Sequence, residues 1–345
     1  MRLLLIDYLS PVGHRKFDAI HISALGNPNH ELQLIGRSGQ FDGISNKENI
    51  HIRTLPDWMF KSMPVKPLTE RLMGIIRLIW LLMHIRTTGY DAVIFLSYDV
   101  LSLFVYRISG RVYLINHNNV SEINESKIKF LLTRSLPSNY VHVALNRQME
   151  QRFKELLPFK DVVYVPHGFQ IVCGNPMRPS YLQENEKFVF CPVNRNYDKG
   201  FVNRLFSSET LLDFLSDNCI KIIAKDKLFG DIQNNQIISI KGRIPEEEYH
   251  YLMRNAIGVI LPYSKAFKYR CSGILYECIA LDKPVIASRI EAMESYEDKV
   301  KIQLFNDEVE LVKCIKYYLE HETVVQDKTM FFPDKYWKAL LNVEA

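Results

Sequence analysis

Short apolar runs, rich in β-branched residues and bounded by polar turns, recur along the whole chain. Such runs are typical of strands buried on both faces of a parallel sheet. The pattern predicts strands at Leu3–Ile6, Glu31–Ile35, Ile50–Leu55, Asp91–Leu96, Arg111–Ile115, Tyr140–Leu145, Asp161–Val165, Phe188–Pro192, Cys219–Ala224, Ile237–Ile240, Gly258–Pro262, Val285–Ala287 and Lys301–Phe305.

Helical segments lie between these strands, because apolar residues there recur at spacings of three and four. The clearest are Pro67–Arg86, Glu122–Leu136, Glu308–Leu319, a helix after Gly273 and a short one at Pro333–Leu341. Alternating strands and helices predict an α/β fold with parallel sheets. A chain of 345 residues exceeds what one core usually organises, so we expect two domains of about 170 residues each.

The helix predicted at Pro67–Arg86 has two interpretations. Its apolar stripe fits a core helix that leads into the next strand, which the sequence favours. Its basic neighbours fit a helix lying on an anionic membrane surface. Residues 1–165 carry 20 Lys and Arg against 14 Asp and Glu, whereas the rest carries 23 against 25. The excess of positive charge therefore lies in the half that contains this helix.

The cysteines and the first residues indicate a cytoplasmic protein. All six cysteines lie in the second half, without a Cys-x-x-Cys pair or a Cys/His pair at metal-ligand spacing. They predict reduced thiols and neither a disulfide framework nor a metal site. The apolar run at Leu3–Ile6 is too short for a signal peptide. No apolar run approaches the roughly 18 residues of a membrane-spanning helix.

The stretch Leu261–Ser288 carries the strongest candidate chemistry. A strand ends at Pro262, and small residues stand at the entrance of the following helix. The backbone N–H groups of such an entrance lie at the positive end of the helix dipole, where phosphate binds. Glu277, one turn into the helix, is placed to reach a ribose. The candidate entrance residues are Ser272, Gly273, Ile274 and Leu275.

This stretch resembles the donor site of a known enzyme family. The order Pro-Tyr, loop, Ser-Gly, three residues, Glu, then Lys-Pro-Val-Ile-Ala is similar to the signature of retaining, nucleotide-sugar-dependent glycosyltransferases of the GT-B fold, family 4. That family has two glutamates eight positions apart. Glu277 matches the second, which by resemblance holds the ribose hydroxyls, but Tyr269 stands at the first.

Tyr269 leaves two alternatives for the sugar side of the site. A phenol is neutral at pH 7, so it cannot supply the negative charge of the usual glutamate. Tyr269 either takes the glutamate's place beside the donor sugar, or the loop is shifted and Lys268 or Arg270 faces the sugar.

Two further segments of the second half match the family. Asn194–Gly200 resembles its arginine, loop and Lys-Gly, which implies that Arg195 and Lys199 grip the donor diphosphate. The two cations are four residues apart, one fewer than usual, and either could be an ordinary loop charge. Gly242 and Arg243 resemble a turn whose backbone contacts the nucleobase. Arg243 then stacks on the base or is a surface residue.

The first half offers two candidate residues. Gly13 stands where family members place a glycine-rich loop against the sugar, although a turn glycine is the simpler interpretation. His117 follows a predicted strand, beyond the carboxyl end that lines the ligand crevice of α/β folds. By resemblance it faces the donor sugar, and it could equally be structural. Val165–Gly168, Val-Pro-His-Gly, is similar to the family's link between domains.

The resemblance implies two Rossmann-like domains facing a cleft. Residues 1–168 would bind the acceptor and residues 169–326 the donor, with 327–345 as a helix crossing back to the first domain. The implied activity is retaining transfer of a hexose or N-acetylhexosamine from a UDP-linked sugar to a glycan or lipid-linked acceptor, in surface polysaccharide biosynthesis. No cofactor, metal or nucleic acid is expected. Localisation is expected to be cytoplasmic, with peripheral contact at an anionic membrane.

Two rival functions remain open on sequence alone. A GT-B nucleotide-sugar isomerase, such as a 2-epimerase, would need the donor site but no acceptor. A non-catalytic nucleotide-sugar-binding partner subunit would fit the missing glutamate at Tyr269 and the single glycine at Gly13.

Overall fold

The computed structural model describes residues 1–11, 14–44, 48–60, 67–103, 107–169, 174–193, 195–225, 228, 234–321 and 327–341. The chain divides into two compact units, which we call unit 1 (Met1–Gly168 with Met330–Ala345) and unit 2 (Phe169–Thr329). Each unit is built on one parallel sheet with helices between its strands. The predicted α/β class is therefore confirmed.

Unit 1 has a seven-stranded sheet of order β3-β2-β1-β4-β5-β6-β7. Its strands are β1 (Arg2–Ile6), β2 (Glu31–Arg37), β3 (Ile50–Leu55), β4 (Ala92–Phe95), β5 (Arg111–Asn116), β6 (Tyr140–Ala144) and β7 (Val162–Tyr164). The helices that connect them are α1 (Arg15–Leu25), α2 (Pro67–His84), α3 (Val100–Leu103), α4 (Asn119–Glu125), α5 (Lys127–Ser135) and α6 (Arg147–Leu156).

The prediction of a single helix at Glu122–Leu136 is wrong, because two helices, α4 and α5, cover this segment. They meet at Ser126, whose backbone is extended (φ −126°, ψ 111°) and whose Oγ accepts the N–H of Lys129. A serine that caps a new helix interrupts the old one, even where the apolar spacing continues.

Helix α2 has one buried face and one apolar outer face. Leu78 and Leu81 are fully buried, whereas Leu72, Ile79 and Met83 are 57%, 44% and 69% exposed. The core interpretation of this helix is correct for its inner side only. No helix in the described part of the chain combines the length and the apolar character that crossing a membrane requires.

Unit 2 has a six-stranded sheet of order β10-β9-β8-β11-β12-β13. Its strands are β8 (Lys187–Cys191), β9 (Ile220–Lys225), β10 (Ile237–Ile240), β11 (Val259–Leu261), β12 (Val285–Ser288) and β13 (Ile302–Phe305). Its helices are α7 (Lys199–Phe206), α8 (Glu209–Asp217), α9 (Glu246–Asn255), α10 (Gly273–Ala280), α11 (Glu291–Glu294) and α12 (Glu308–Glu320).

The last helix, α13 (Asp334–Leu340), packs on the beginning of unit 1. Trp337 is 1% exposed, and its indole N–H donates to Nδ1 of His21 in α1 at 3.1 Å. The hydroxyl of Tyr113 in β5 donates to the carbonyl of Leu340 at 3.1 Å. These contacts confirm the predicted helix that crosses back to the first domain.

Gly168 closes the first long segment of unit 1 in a conformation that only glycine accepts readily. Its φ is +75°, and a Cβ there would lie 2.6 Å from Cγ2 of Ile20 and 3.1 Å from Pro333. Positive φ and close approach both require a residue without a side chain. The glycine of the Val-Pro-His-Gly motif thus allows this segment to approach α1.

Candidate active site

Most of the predicted donor residues of unit 2 lie near the point where the strand order of its sheet reverses. From β8 the chain proceeds to β9 and β10 on one side, whereas β11, β12 and β13 extend on the other. Ligands of such sheets bind beyond the carboxyl ends of the strands at this switch point. The loops that follow β8 and β11 therefore form the candidate crevice.

Two hydrogen bonds join these loops. The backbone N–H of Ser264 donates to the carbonyl of Asn196 at 2.8 Å. The Arg270 guanidinium donates to the side-chain oxygen of Asn196 at 2.9 Å. Asn196 itself has a φ of +62°, a turn conformation that asparagine tolerates. The segment that carries Arg195 and the segment that carries Tyr269 are thereby held together.

Lys199 is the first residue of α7, so the alternative interpretation of it as a loop charge does not apply. Asp198 caps this helix, because its carboxylate accepts the N–H of Phe201 at 2.8 Å. Lys199 and Arg195 are both exposed. Within the described residues Lys199 has no hydrogen bond or ion pair, so its ammonium can meet an incoming anion.

The entrance of α10 has the open geometry that the sequence predicted. Oγ of Ser272 accepts the N–H of Leu275 at 3.1 Å and is bonded to the Tyr263 hydroxyl at 2.8 Å. Gly273 is exposed, and a Cβ placed on it would meet no atom within 4 Å. The helix therefore begins with a rigid cap and an uncovered backbone at its positive end.

Glu277 lies one turn into α10 and is half-buried. Its carboxylate accepts a hydrogen bond of 2.5 Å from the hydroxyl of Tyr249 in α9. Burial, with the neighbouring carboxylate as a second cause, raises the pKa of Tyr249 well above its ordinary value, so the phenol keeps its proton and donates. Tyr249 thus fixes the rotamer of the predicted ribose ligand, a role that sequence reasoning missed.

The two basic residues beside Tyr269 are already bonded within unit 2. Lys268 forms an ion pair with Glu291 in α11, and Arg270 bonds Asn196. The Lys268 ammonium also lies 5.2 Å from the centroid of the half-buried Tyr269 ring. Lys268 and Arg270 are thus both engaged within unit 2, and Tyr269 stands between them with part of its surface exposed.

Gly242 and Arg243 follow β10, at the far edge of the same sheet. Gly242 has a φ of +74°, and its carbonyl accepts a hydrogen bond from the ammonium of Lys225 at the end of β9. Arg243 is exposed, whereas Ile244 is buried. The turn is therefore anchored, and its arginine is open to solvent.

In unit 1 the strand order reverses between β1 and β4. His117 directly follows β5, the strand next to β4. Its Nε2 lies 2.9 Å from the carbonyl of Leu96, so Nε2 carries the hydrogen and Nδ1 is an acceptor. Burial, with His14 close by, lowers the pKa of His117 well below its usual range. The imidazole is therefore neutral at pH 7. Gly13 lies outside the described residues.

His14 lies next to His117, a contact that sequence reasoning did not identify. The rings of His14 and His117 lie 4.4 Å apart, centroid to centroid, with Phe17 against His117 at 4.6 Å. Only the fold brings these residues together, because about one hundred positions separate them in the sequence.

Behind the histidines lies a pair of buried carboxyl groups that sequence reasoning also missed. Nε2 of Gln40 donates to Asp7 at 3.0 Å and to Asp18 at 2.6 Å. Asp7 accepts two more hydrogen bonds, from the Ser97 hydroxyl and the N–H of Ser10. Burial raises the pKa of both carboxyls, and the charge of Asp7 raises that of Asp18 further. Asp18 therefore has the stronger tendency of the two to hold a proton.

In the described ranges, no group of three His, Cys, Asp or Glu side chains is arranged to hold a metal ion. Metal-independent chemistry remains a prediction.

Comparison with known proteins gives structural relatives. No protein-family model and no curated protein matches the chain. An E. coli trehalose-6-phosphate structure bound with UDP-2-fluoro glucose has a TM-score of 0.67 and 12% identity, over 100% of both chains. The UDP-GlcNAc 2-epimerase of Methanocaldococcus jannaschii has a TM-score of 0.61 and 14% identity, over 99% of this chain and 100% of its own.

A third relative is Anabaena Alr3699/HepE in complex with UDP and glucose. It has a TM-score of 0.59 and 14% identity, over 98% of this chain and 95% of its own. Likeness over whole chains at such low identity establishes a shared architecture, so the chain has the GT-B fold.

Proposed function

We propose that this protein is a retaining glycosyltransferase. It transfers a hexose or N-acetylhexosamine from a UDP-linked sugar to a glycan or lipid-linked acceptor, in surface polysaccharide biosynthesis. Unit 2 holds the donor nucleotide and unit 1 the acceptor. The structural relatives bound with UDP or a UDP-sugar support the choice of nucleotide.

The observation that carries this proposal is the group of open polar sites at the switch point of unit 2. Lys199, which has no partner among the described residues, begins α7. Gly273, with open space around it, begins α10, and Glu277 lies one turn behind with its rotamer fixed by Tyr249. A cation, a helix entrance and a carboxylate are the groups that bind a diphosphate and a ribose.

In the proposed mechanism the protein stabilises the departing UDP. Negative charge grows on the diphosphate as the bond between the sugar and UDP breaks. This charge is stabilised by the cations of Lys199 and Arg195 and by the backbone amides at Gly273. The leaving phosphate oxygen takes the proton of the acceptor hydroxyl on the same face of the sugar, so configuration is retained without a protein base. His117, neutral and fixed by Leu96, contributes a polar contact to the donor sugar.

The direct test is incubation of the purified protein with several nucleotide sugars, with and without an acceptor extract. The proposal expects release of UDP and a glycosylated product that both depend on acceptor. A screen in which no nucleotide sugar yields either product would contradict it.

A nucleotide-sugar 2-epimerase is the second candidate, because two structural relatives carry that activity in their names. The same incubation distinguishes the two. An epimerase converts the donor sugar without acceptor, whereas a glycosyltransferase requires one. A non-catalytic partner subunit would bind UDP-sugar and convert it in neither assay.

We predict that Glu277→Ala weakens UDP binding by about 1.5 to 3 kcal/mol, the cost of losing a hydrogen bond to a charged group. Titration calorimetry with UDP measures it. Tyr249→Phe is the matched control, because it removes the bond that fixes Glu277 but keeps the carboxylate, and it should cost less. Unchanged affinity in Glu277→Ala would remove Glu277 from the site.

We further propose that the outer face of α2 attaches the protein to anionic membranes. Leu72, Ile79 and Met83 share this face, with Arg71 and Arg86 exposed on the same segment. Arg77 does not contribute, because its guanidinium donates to the carbonyl of Met59 at 2.7 Å and packs on Phe60. Apolar side chains with flanking cations are typical of interfacial helices.

The triple variant Leu72→Gln, Ile79→Gln, Met83→Gln should bind anionic vesicles at least about tenfold more weakly, because each inserted apolar side chain contributes on the order of 1 kcal/mol. Flotation at low salt measures the bound fraction. The control is Met177→Gln with Val309→Gln, two exposed apolar residues of unit 2. If the parent protein stays unbound, or the triple variant binds equally well, α2 is not the attachment site.

A further inference from the structure

A cavity of 730 Å³ opens within unit 2, at the carboxyl ends of β11, β12 and β13. Lys265 lines it from the loop after β11, Arg289 from the end of β12, and Asn306 from the end of β13. A volume of this size lies in the range of small-molecule sites, roughly 300 to 1,000 Å³. The residues predicted to hold the donor nucleotide are not among those that line it.

Aromatic rings form the inner wall of this cavity. The rings of Phe201 and Phe305 are nearly parallel, at 12° with centroids 6.2 Å apart, and Tyr263 lies flat against Phe267 at 4.1 Å. Phe305 is fully buried, and Phe201 is half-buried with part of its surface open. Polar groups, including Ser264, complete the lining. A pyranose, with apolar C–H faces and a hydroxylated edge, matches a wall of this composition.

The charged residues of the lining favour an anion. Lys265 and Arg289 are both exposed, and in the described part of the chain Lys265 has no hydrogen bond or ion pair. Arg289 lies 3.4 Å from Glu297, but both side chains are about 40% exposed, and such pairs are weak. The lining carboxylate, Asp198, is engaged as the cap of α7. The lining therefore has two cations open to a ligand, Lys265 and Arg289, and one carboxylate, Asp198, that is already hydrogen-bonded within the protein.

We propose that this cavity binds an anionic sugar, a pyranose that carries a carboxylate or a phosphate. The ring packs on the wall formed by Phe201, and the negative group lies between Lys265 and Arg289. Because Asp198 directly precedes Lys199, the cavity adjoins the predicted diphosphate site without including it. With the proposed glycosyltransferase function, on which this step rests, the protein acts on acidic glycans or acidic sugar units, and the two cations select for them.

The test uses the full chain and four probes: glucuronate, glucose 6-phosphate, glucose and inorganic phosphate. Ligand-observed NMR titrations give the dissociation constant of each. We expect glucuronate or glucose 6-phosphate to bind at least about tenfold more tightly than glucose, and whichever binds better identifies the anionic group. The double variant Lys265→Met, Arg289→Met should lose this preference, whereas Lys187→Met with Lys313→Met, two exposed lysines outside the cavity, should keep it.

Three results would overturn the inference. They are equal binding of glucose and the anionic sugars, unchanged binding in the double variant, and inorganic phosphate binding as tightly as glucose 6-phosphate, which would indicate a site for free anions only. UDP binding is measured separately on the same variants and should not change. A failure of this inference and a failure of the proposed function are therefore distinguishable.

Discussion

Lys199→Ala is expected to lower turnover about 100-fold, with a smaller change in the apparent Michaelis constant for the donor. Lys199 stands exposed at the start of α7, beside the crevice of unit 2. A cation there is needed most in the transition state, when charge grows on the leaving diphosphate, and removing one such contact commonly costs two to three orders of magnitude, roughly. Steady-state kinetics with the donor identified by the nucleotide-sugar screen measures both constants.

The matched control is Lys187→Ala, an exposed lysine at the amino end of β8. It removes the same charge from the same unit but lies at the opposite end of the strand, so turnover should be unchanged. Lys199→Arg should recover part of the activity because it keeps the positive charge. A normal turnover in Lys199→Ala would make this lysine an ordinary surface charge.

Trp337→Ala should lower the free energy of unfolding of unit 1 by about 3 to 5 kcal/mol, the usual cost of removing a buried aromatic side chain. Trp337 is 1% exposed and lies edge-on to Tyr113 at 5.6 Å. Its loss would also leave Nδ1 of His21 without its donor. Urea titration followed by circular dichroism measures the change.

Trp337→Phe separates the contribution of volume from that of the hydrogen bond. It keeps most of the ring but loses the indole N–H, so we expect a loss of about 1 to 2 kcal/mol. Lys338→Ala, an exposed residue of the same helix, should leave stability unchanged. An unfolding midpoint for Trp337→Ala equal to that of the parent would show that α13 does not stabilise unit 1.

The strands of this protein could be predicted closely because local composition determines them. The run that begins at Leu3 is apolar because both faces of the central strand β1 are covered, and residues 3 to 6 are fully buried. The order of the strands could not be predicted, because it depends on which side each crossover takes. The break between α4 and α5 at Ser126 could not be predicted either, because the apolar period continues across it and only the backbone geometry shows the break.

The open entrance of α10 could be predicted, because the cap Ser272 and the small residue Gly273 are adjacent in the sequence. The candidate site was not predictable where distant segments meet. Nothing in the local sequence of Tyr249 indicates a bond to Glu277, because the two residues lie on different helices. The start of α7 at Lys199 was hidden by Gly200, a poor helix former in its first turn, although Asp198 is a favoured cap.

The position of Trp337 affects the order in which the chain can fold during synthesis. Unit 2 is one continuous segment, Phe169–Thr329, whereas unit 1 needs residues from both ends of the chain. A ribosome has therefore delivered all of unit 2 before it makes the indole that bonds His21. Domains usually fold in the order of their emergence, but here the first to emerge is the last to be completed. Until translation reaches α13, the nascent first unit exposes the apolar surface that Trp337 later covers, and a ribosome stalled in unit 2 leaves that surface open.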